Sequence, residues 1–325
     1  ALQSGAVFPA MKLAYKTFGR LNPARDNVIL YPTSFSAQHH DTQWAVAPDA
    51  ILDPERYFVV IPNLFCNGLS SSPSNTPADA PFPALTYHDA VAVQRRLLVE
   101  VYGIEQIALV YGWSMGGMQA YHWAALHPEM VERAAIICGS ARCSPFNHVF
   151  LEGVKAALTA DPAFEDGRFV RPPTAGFRAM GRVYAGWALS HDFYRDEAWR
   201  TLGFSSLEDF LVRSWDSNYA RRDANDLLAQ IAIWQGGDIS ACERFGGDLG
   251  KALAAIEARI LLMPGQTDCY FLVSDTAGEL GHLTNARSGE LCPIPSSYGP
   301  RAGNPMAIPA DRAFLRTKIR EFLAT

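Results

Sequence analysis

Residues 107–120 read IALVYGWSMGGMQA, which joins a short apolar run, a glycine-flanked serine and the start of a helical pattern. The run up to Tyr111 is continuously apolar, as is typical of a strand buried on both faces of a parallel sheet. Ser114 follows with Gly112 and Gly116 two residues to either side. A strand that turns this sharply into a helix leaves no room for side chains at those two positions. The stretch therefore predicts a tight turn that exposes the Ser114 hydroxyl between a strand and a helix.

Such a turn predicts a nucleophile with a site for an oxyanion beside it. The Met115 amide and the N-terminus of the following helix can meet an oxyanion there, because unpaired N–H groups and the helix dipole favour negative charge. A second amide is expected from the loop after an earlier strand, where Thr33 or Ser34 follows Pro32; we take Thr33 as the donor. These residues predict a serine nucleophile beside two amides that can stabilise an oxyanion.

Four more apolar runs share the continuous character of residues 107–111, so the chain is predicted to be α/β with a mainly parallel sheet. They span 27–32, 57–62, 134–138 and 258–264. Helices with apolar spacing near 3.6 residues are predicted over 86–101 and 117–126.

The stretch 144–245 has helical periodicity, many aromatic residues and no convincing strand. We therefore predict that 1–143 and 246–325 form the core and that 144–245 is a helical lid inserted between two strands. Its aromatic side chains are interpreted as packing core rather than as ligand contacts.

Composition excludes several classes of protein. The 325 residues are 49% hydrophobic and 19% charged, which suits a large buried core and excludes a disordered chain. The net charge is −5 and no run of Lys and Arg exceeds two residues, so no nucleic-acid partner is predicted. No uncharged apolar stretch approaches the roughly 18 residues of a membrane span, so no membrane partner is predicted. Without a phosphate-cradling glycine loop or a cluster of metal ligands, we predict neither a tightly bound cofactor nor a metal.

The six cysteines are scattered along the chain and form no C-x-x-C pair. We interpret them as buried thiols in a reducing compartment. No secretory signal is visible, so the cytoplasm is the default expectation.

An acid is expected after a later strand, to orient a histidine. Asp268 follows the run that ends at Met263 and is the natural candidate. The alternative is a helix N-cap for the segment that begins near Tyr270.

Three segments resemble homoserine O-acetyltransferases and related esterase-like proteins, a branch of the α/β-hydrolase superfamily. They are LAYKTFG at 13–19, GWSMGGMQA at 112–120 and RDAN at 222–225. The resemblance implies an α/β-hydrolase fold with a helical lid, often a homodimer, and a small-molecule substrate acylated from acetyl-CoA or another acyl-CoA as co-substrate. It also implies that a lid arginine holds the acceptor. Arg222 is the matching position, with an ordinary salt bridge as the alternative.

One position departs from this branch. The resemblance implies a histidine after a glycine in the loop that follows the last strand, but here residues 296–305 read SSYGPRAGNP, with Pro300 at that place. Proline cannot accept a proton, so Ser114 is predicted to lack its usual base.

Other histidines are considered as replacement bases. His282 should lie at the far edge of the sheet, because one helix separates it from Asp268 and a further strand leads back. The remaining candidates are His39, His40, His148 and His191.

Three functions stay open. The first is an acyltransferase or esterase that uses Ser114 and Asp268. The second is a pathway-specific enzyme with a changed mechanism or a replacement base. The third is a non-catalytic binding protein on the same fold.

Overall fold

The computed structural model describes residues 1–77 and 81–325, and nine strands lie within them. The strands are β1 (Tyr15–Phe18), β2 (Val28–Leu30), β3 (Phe58–Pro62), β4 (Leu109–Trp113), β5 (Arg133–Ile137), β6 (Phe164–Glu165), β7 (Arg168–Phe169), β8 (Arg259–Met263) and β9 (Ser288–Leu291). Seven of them form one sheet in the order β1-β3-β2-β4-β5-β8-β9. Only β1 is antiparallel to its neighbour; the other adjacent pairs in this sheet are parallel. The prediction of a mainly parallel α/β sheet is confirmed.

Eleven α-helices lie in the same described residues. They are α1 (His39–Thr42), α2 (Tyr87–Arg96), α3 (Met115–Leu126), α4 (Pro145–Thr159), α5 (Thr174–Trp187), α6 (His191–Arg195), α7 (Leu207–Leu211), α8 (Ala224–Gln235), α9 (Leu249–Ala254), α10 (Val273–Leu280) and α11 (Pro309–Ala324). The two predicted helices correspond to α2 and α3. Thr86 caps α2 by accepting the Asp89 N–H, and a π-helical turn extends that helix over Leu97–Val101. Among the described residues, none of the helices combines the length and the apolar character that crossing a bilayer requires.

The sheet is buried on both faces, as its uninterrupted apolar strands predict. Ile29 and Tyr31 belong to one apolar cluster, whereas Val28 and Leu30 belong to a second. Successive side chains of a strand point to opposite faces, so β2 contributes to both. β1 was missing from the predicted strands because it is an edge strand with no buried residue.

The predicted lid segment, 144–245, contains α4 to α8 and lies between β5 and β8. One part of it differs from the prediction of no strand, because β6 and β7 form a two-residue hairpin. Its aromatic side chains do pack as core: the Phe150 ring of α4 stacks on Tyr270 with centroids 5.1 Å apart. This segment therefore covers the carboxyl edge of the sheet, where β4 and β8 end.

Candidate active site

Ser114 lies in the sharp turn between β4 and α3, with φ 55° and ψ −123°. Non-glycine residues rarely adopt such a positive φ, and in this turn the surrounding backbone imposes it. A Cβ at Gly112 would lie 2.0 Å from the Gly116 carbonyl oxygen, and one at Gly116 would lie 2.6 Å from that of Pro32. Both glycines are thus required by close backbone contacts, and the turn has the predicted form.

A cavity of about 110 Å³ lies in front of Ser114. One wall is the loop after β2, from Ser34 to Ala37. The opposite wall is aromatic and comes largely from the lid segment, with Tyr184, Trp215 and Tyr219. Ser114 itself is only 5% exposed, so a ligand reaching it must enter this enclosed space.

Met115 and Thr33, the two predicted oxyanion donors, differ in their surroundings. Met115 is the first residue of α3, so its N–H has no partner within the helix. The Thr33 N–H instead donates to the Pro62 carbonyl at 3.2 Å, and Thr33 does not line the cavity. Ser34, the other residue that the sequence left open, does line it.

Asp268 lies just after β8 and is almost fully buried. Its Oδ1 accepts the N–H groups of Tyr270 and Phe271 at 3.0 and 2.9 Å. Its Oδ2 is buried and has no hydrogen-bond partner among the described residues. The Cys138 thiol beside it is only a weak donor. Burial raises the pKa of Asp268 to about 7, and the two backbone donors offset part of that effect.

The contacts of Oδ1 are those expected of the capping alternative, so Asp268 does stabilise the turn that precedes α10. Oδ2 is not needed for that role. It is the free atom that a neighbouring N–H donor would satisfy.

The loop that holds Pro300 contacts the chain neighbours of both Ser114 and Asp268. The Trp113 indole Nε1 donates to the Pro300 carbonyl at 2.8 Å, which ties the loop to the residue before Ser114. A Cβ at Gly265 would lie 2.6 Å from the Gly299 carbonyl oxygen and 3.5 Å from the Asp268 Cβ. The loop therefore contacts both the residue before Ser114 and the chain just before Asp268, although Pro300 is not among the residues that line the cavity.

All eight histidines lie in the described part of the chain, and none of them lines the cavity at Ser114. His39 Nδ1 lies 3.2 Å from the Asn63 side-chain amide. His148 is exposed, and the His191 side chain is 88% exposed. His282 lies close to Gly250 of α9, the helix that precedes β8 in the chain. It is therefore at the opposite edge of the sheet from Ser114. The structure brings none of the considered replacement bases into the cavity.

Arg222 is committed to the protein itself. Its Nε donates to the Ser36 carbonyl and its Nη2 pairs with Asp41, both at 2.6 Å. The structure therefore shows the salt-bridge alternative, and Arg222 is not among the residues that line the cavity.

Two other arginines, Arg221 and Arg301, line the cavity and were not singled out from the sequence. A signal for Arg301 existed, since it follows Pro300 in the loop expected at the catalytic edge. Arg221 offered none, because only the tertiary fold distinguishes it from its neighbour Arg222.

Comparison with known proteins agrees with this fold. Residues 27–283 match the family model described as alpha/beta hydrolase fold. The chain belongs to the α/β-hydrolase family. It is 37% identical over 285 residues to a probable esterase of Corynebacterium glutamicum, covering 86% of this chain and 81% of that protein. An ethyl acetate hydrolase of Pseudomonas veronii is 36% identical over 304 residues, covering 92% of this chain and 86% of that protein.

A solved structure of the acetyl esterase MekB superposes with a TM-score of 0.95 at 34% identity, covering all of this chain and 94% of that one. Homoserine O-succinyltransferase of Methylibium petroleiphilum is 32% identical, over 83% of this chain and 78% of that protein. The resemblance to homoserine acyltransferases is thus confirmed at the level of the family. The esterases are the more similar of these relatives, so the chain is an esterase-type α/β hydrolase.

Proposed function

We propose that this protein binds small carboxylic esters at Ser114 and that it works without an imidazole base, so that its own turnover is slow. The observation that carries the proposal is the buried, unpartnered Oδ2 of Asp268 beside a loop that holds Pro300. The Asp268 Oδ2 needs a hydrogen-bond donor whether the carboxyl group is ionised or only hydrogen-bonded. Proline has no N–H group and supplies none.

The size of the cavity supports a short acyl group. A volume of about 110 Å³ corresponds to roughly three or four water molecules in the liquid. The two relatives named for acetate esters, the ethyl acetate hydrolase and the acetyl esterase, are consistent with a substrate of that size.

The remaining residues support a slow reaction of the ordinary type. The Ser114 oxygen would attack the carbonyl carbon of the ester, with the Met115 and Ser34 amides facing the developing oxyanion. The alcohol would leave with a proton, and water would then cleave the acyl-serine. Without a base, the serine proton passes to solvent; removing one member of a triad leaves only about 10³–10⁴-fold catalysis over water.

The direct test replaces Pro300 by histidine. We expect Pro300→His to raise kcat/KM for p-nitrophenyl acetate by about 10²–10⁴-fold, the usual contribution of a general base. Pro300→Gln and Pro300→Ala are the matched controls, because they remove the proline ring without adding an imidazole. Ser114→Ala in the Pro300→His background should abolish the gain, and so should Asp268→Asn.

Labelling with a fluorophosphonate, read out by intact mass, follows Ser114 directly. The wild-type protein should label slowly and Pro300→His rapidly. The proposal fails if the wild-type protein labels and turns over as fast as Pro300→His, since another group would then act as base. It also fails if a folded Pro300→His variant is no faster than Pro300→Gln.

A further inference from the structure

A second cavity of about 200 Å³ adjoins the one at Ser114. Most of its wall is apolar, and we refer to it as the apolar chamber; the wall includes Leu189, Phe193, Leu202, Phe210, Tyr298 and Ile308. The two cavities share Asp41, Arg301 and Asn304. Phe193 and Phe210 are fully buried, whereas Met306 at the rim is 60% exposed, so the chamber opens to solvent at one end.

Where the two cavities meet, the charge that remains unpaired is positive. Both Asp41 oxygens are already neutralised, by Arg221 and by Arg222 at 2.6 Å each. The Arg301 guanidinium lies 5.0 Å from the centre of the Trp215 ring and makes no ion pair or hydrogen bond with the residues that the structure describes. A guanidinium held over an aromatic ring, with its N–H donors unused, is suited to a carboxylate.

We infer that the apolar chamber binds the tail of a small aliphatic monocarboxylate whose carboxylate pairs with Arg301. The unpaired Arg301 guanidinium at one end of the chamber accounts for the carboxylate. The buried apolar side chains along its wall account for the aliphatic tail. The volume of about 200 Å³ equals that of roughly six or seven water molecules in the liquid, which is room for about the six carbons of hexanoate. This binding needs no chemistry at Ser114 and is therefore independent of the proposed function.

Titration calorimetry with acetate, butanoate, hexanoate and octanoate tests the chamber on the wild-type protein. We expect the affinity to rise about three- to fourfold for each added methylene, as burial of apolar surface predicts, and to level off beyond hexanoate. An affinity that does not change with chain length would overturn the inference.

Two variants separate the head from the tail. Arg301→Gln should weaken hexanoate binding at least about tenfold, because a charge-assisted pair is lost, whereas the exposed Arg287→Gln should leave it unchanged. Ile308→Ser should weaken hexanoate several-fold and leave acetate unaffected. Ile308 precedes α11 as its N-cap, where serine is favoured, so this variant should fold.

Ser114→Ala keeps the two proposals apart. It should bind hexanoate as the wild-type protein does, whatever the outcome of the esterase measurements. If Arg301→Gln binds hexanoate normally, the carboxylate is held elsewhere and the inference is wrong.

Discussion

At the scale of single residues, the ionisation of Asp268 is disfavoured by its surroundings. Its carboxyl group is buried, and burial raises its pKa to about 7, well above the value near 3.9 of an unfolded chain. Between about pH 4 and pH 7 the folded state therefore binds more protons than the unfolded state. Stability contributed by this group is present below about pH 4 and is lost as the pH rises towards 7, the reverse of a paired aspartate.

Asp268→Asn should consequently stabilise the protein at pH 8, by an amount on the order of 2–4 kcal/mol, and change it little at pH 4. The asparagine keeps the Oδ1 contacts with the two amides and cannot ionise. Thermal unfolding at the two pH values measures the difference. In the Pro300→His background the sign should reverse, since an imidazole would pair with the ionised acid. An equal loss of stability at both pH values would contradict this account of Asp268.

At the scale of elements, Arg222 joins the start of α8 to the loop after β2 and to α1. Its side chain is only 10% exposed, whereas that of its neighbour Arg221 is 41% exposed. Both pair with Asp41 at the same distance, which makes them a matched pair that differs chiefly in burial. Charged hydrogen bonds are worth more when solvent is excluded.

Arg222→Gln should therefore lower the free energy of unfolding by about 1–3 kcal/mol, and Arg221→Gln by less than about 1 kcal/mol. Urea titration followed by circular dichroism gives both values. If the two variants are equally destabilised, the bond to the Ser36 carbonyl and the burial of Arg222 contribute nothing, and the link between lid and loop is not the one described.

Over the whole molecule, aromatic rings connect the lid segment to the core without a break. Phe150 contacts Tyr184 and Trp187 within the lid segment and Tyr270 after β8. Trp234 of α8 likewise stacks on Phe271, with centroids 6.0 Å apart. We expect lid and core to unfold together, because neither can separate without exposing these rings.

Phe150→Ala should cost about 3–5 kcal/mol, while Phe146→Ala on the same helix, 52% exposed, should cost less than about 1 kcal/mol. Tryptophan fluorescence and far-ultraviolet circular dichroism should give one coincident transition in denaturant for the wild-type protein. Two separated transitions would show that the lid segment is an independent unit.

The fold could be predicted because its signals are local. Five apolar runs correspond to β2, β3, β4, β5 and β8, and the glycines around Ser114 predicted the turn. β1 could not be found in this way, since an exposed edge strand has no apolar pattern. The hairpin of β6 and β7 was missed because two residues in each strand are too few for any pattern.

The sequence by itself determined five strands of the sheet, the serine turn and the loop in which Pro300 stands, since each depends on backbone and side-chain types next to one another in the chain. Only the tertiary structure decided which residue after Pro32 lines the cavity, which of two adjacent arginines lines it although both pair with Asp41, and that Arg301 lies between two cavities. The physical reason is that hydrogen-bond partners, burial and unpaired charge depend on residues that are far apart in sequence. Thr33 and Arg222 were reasonable choices from the sequence, but their donors are used by groups that only the folded chain brings to them.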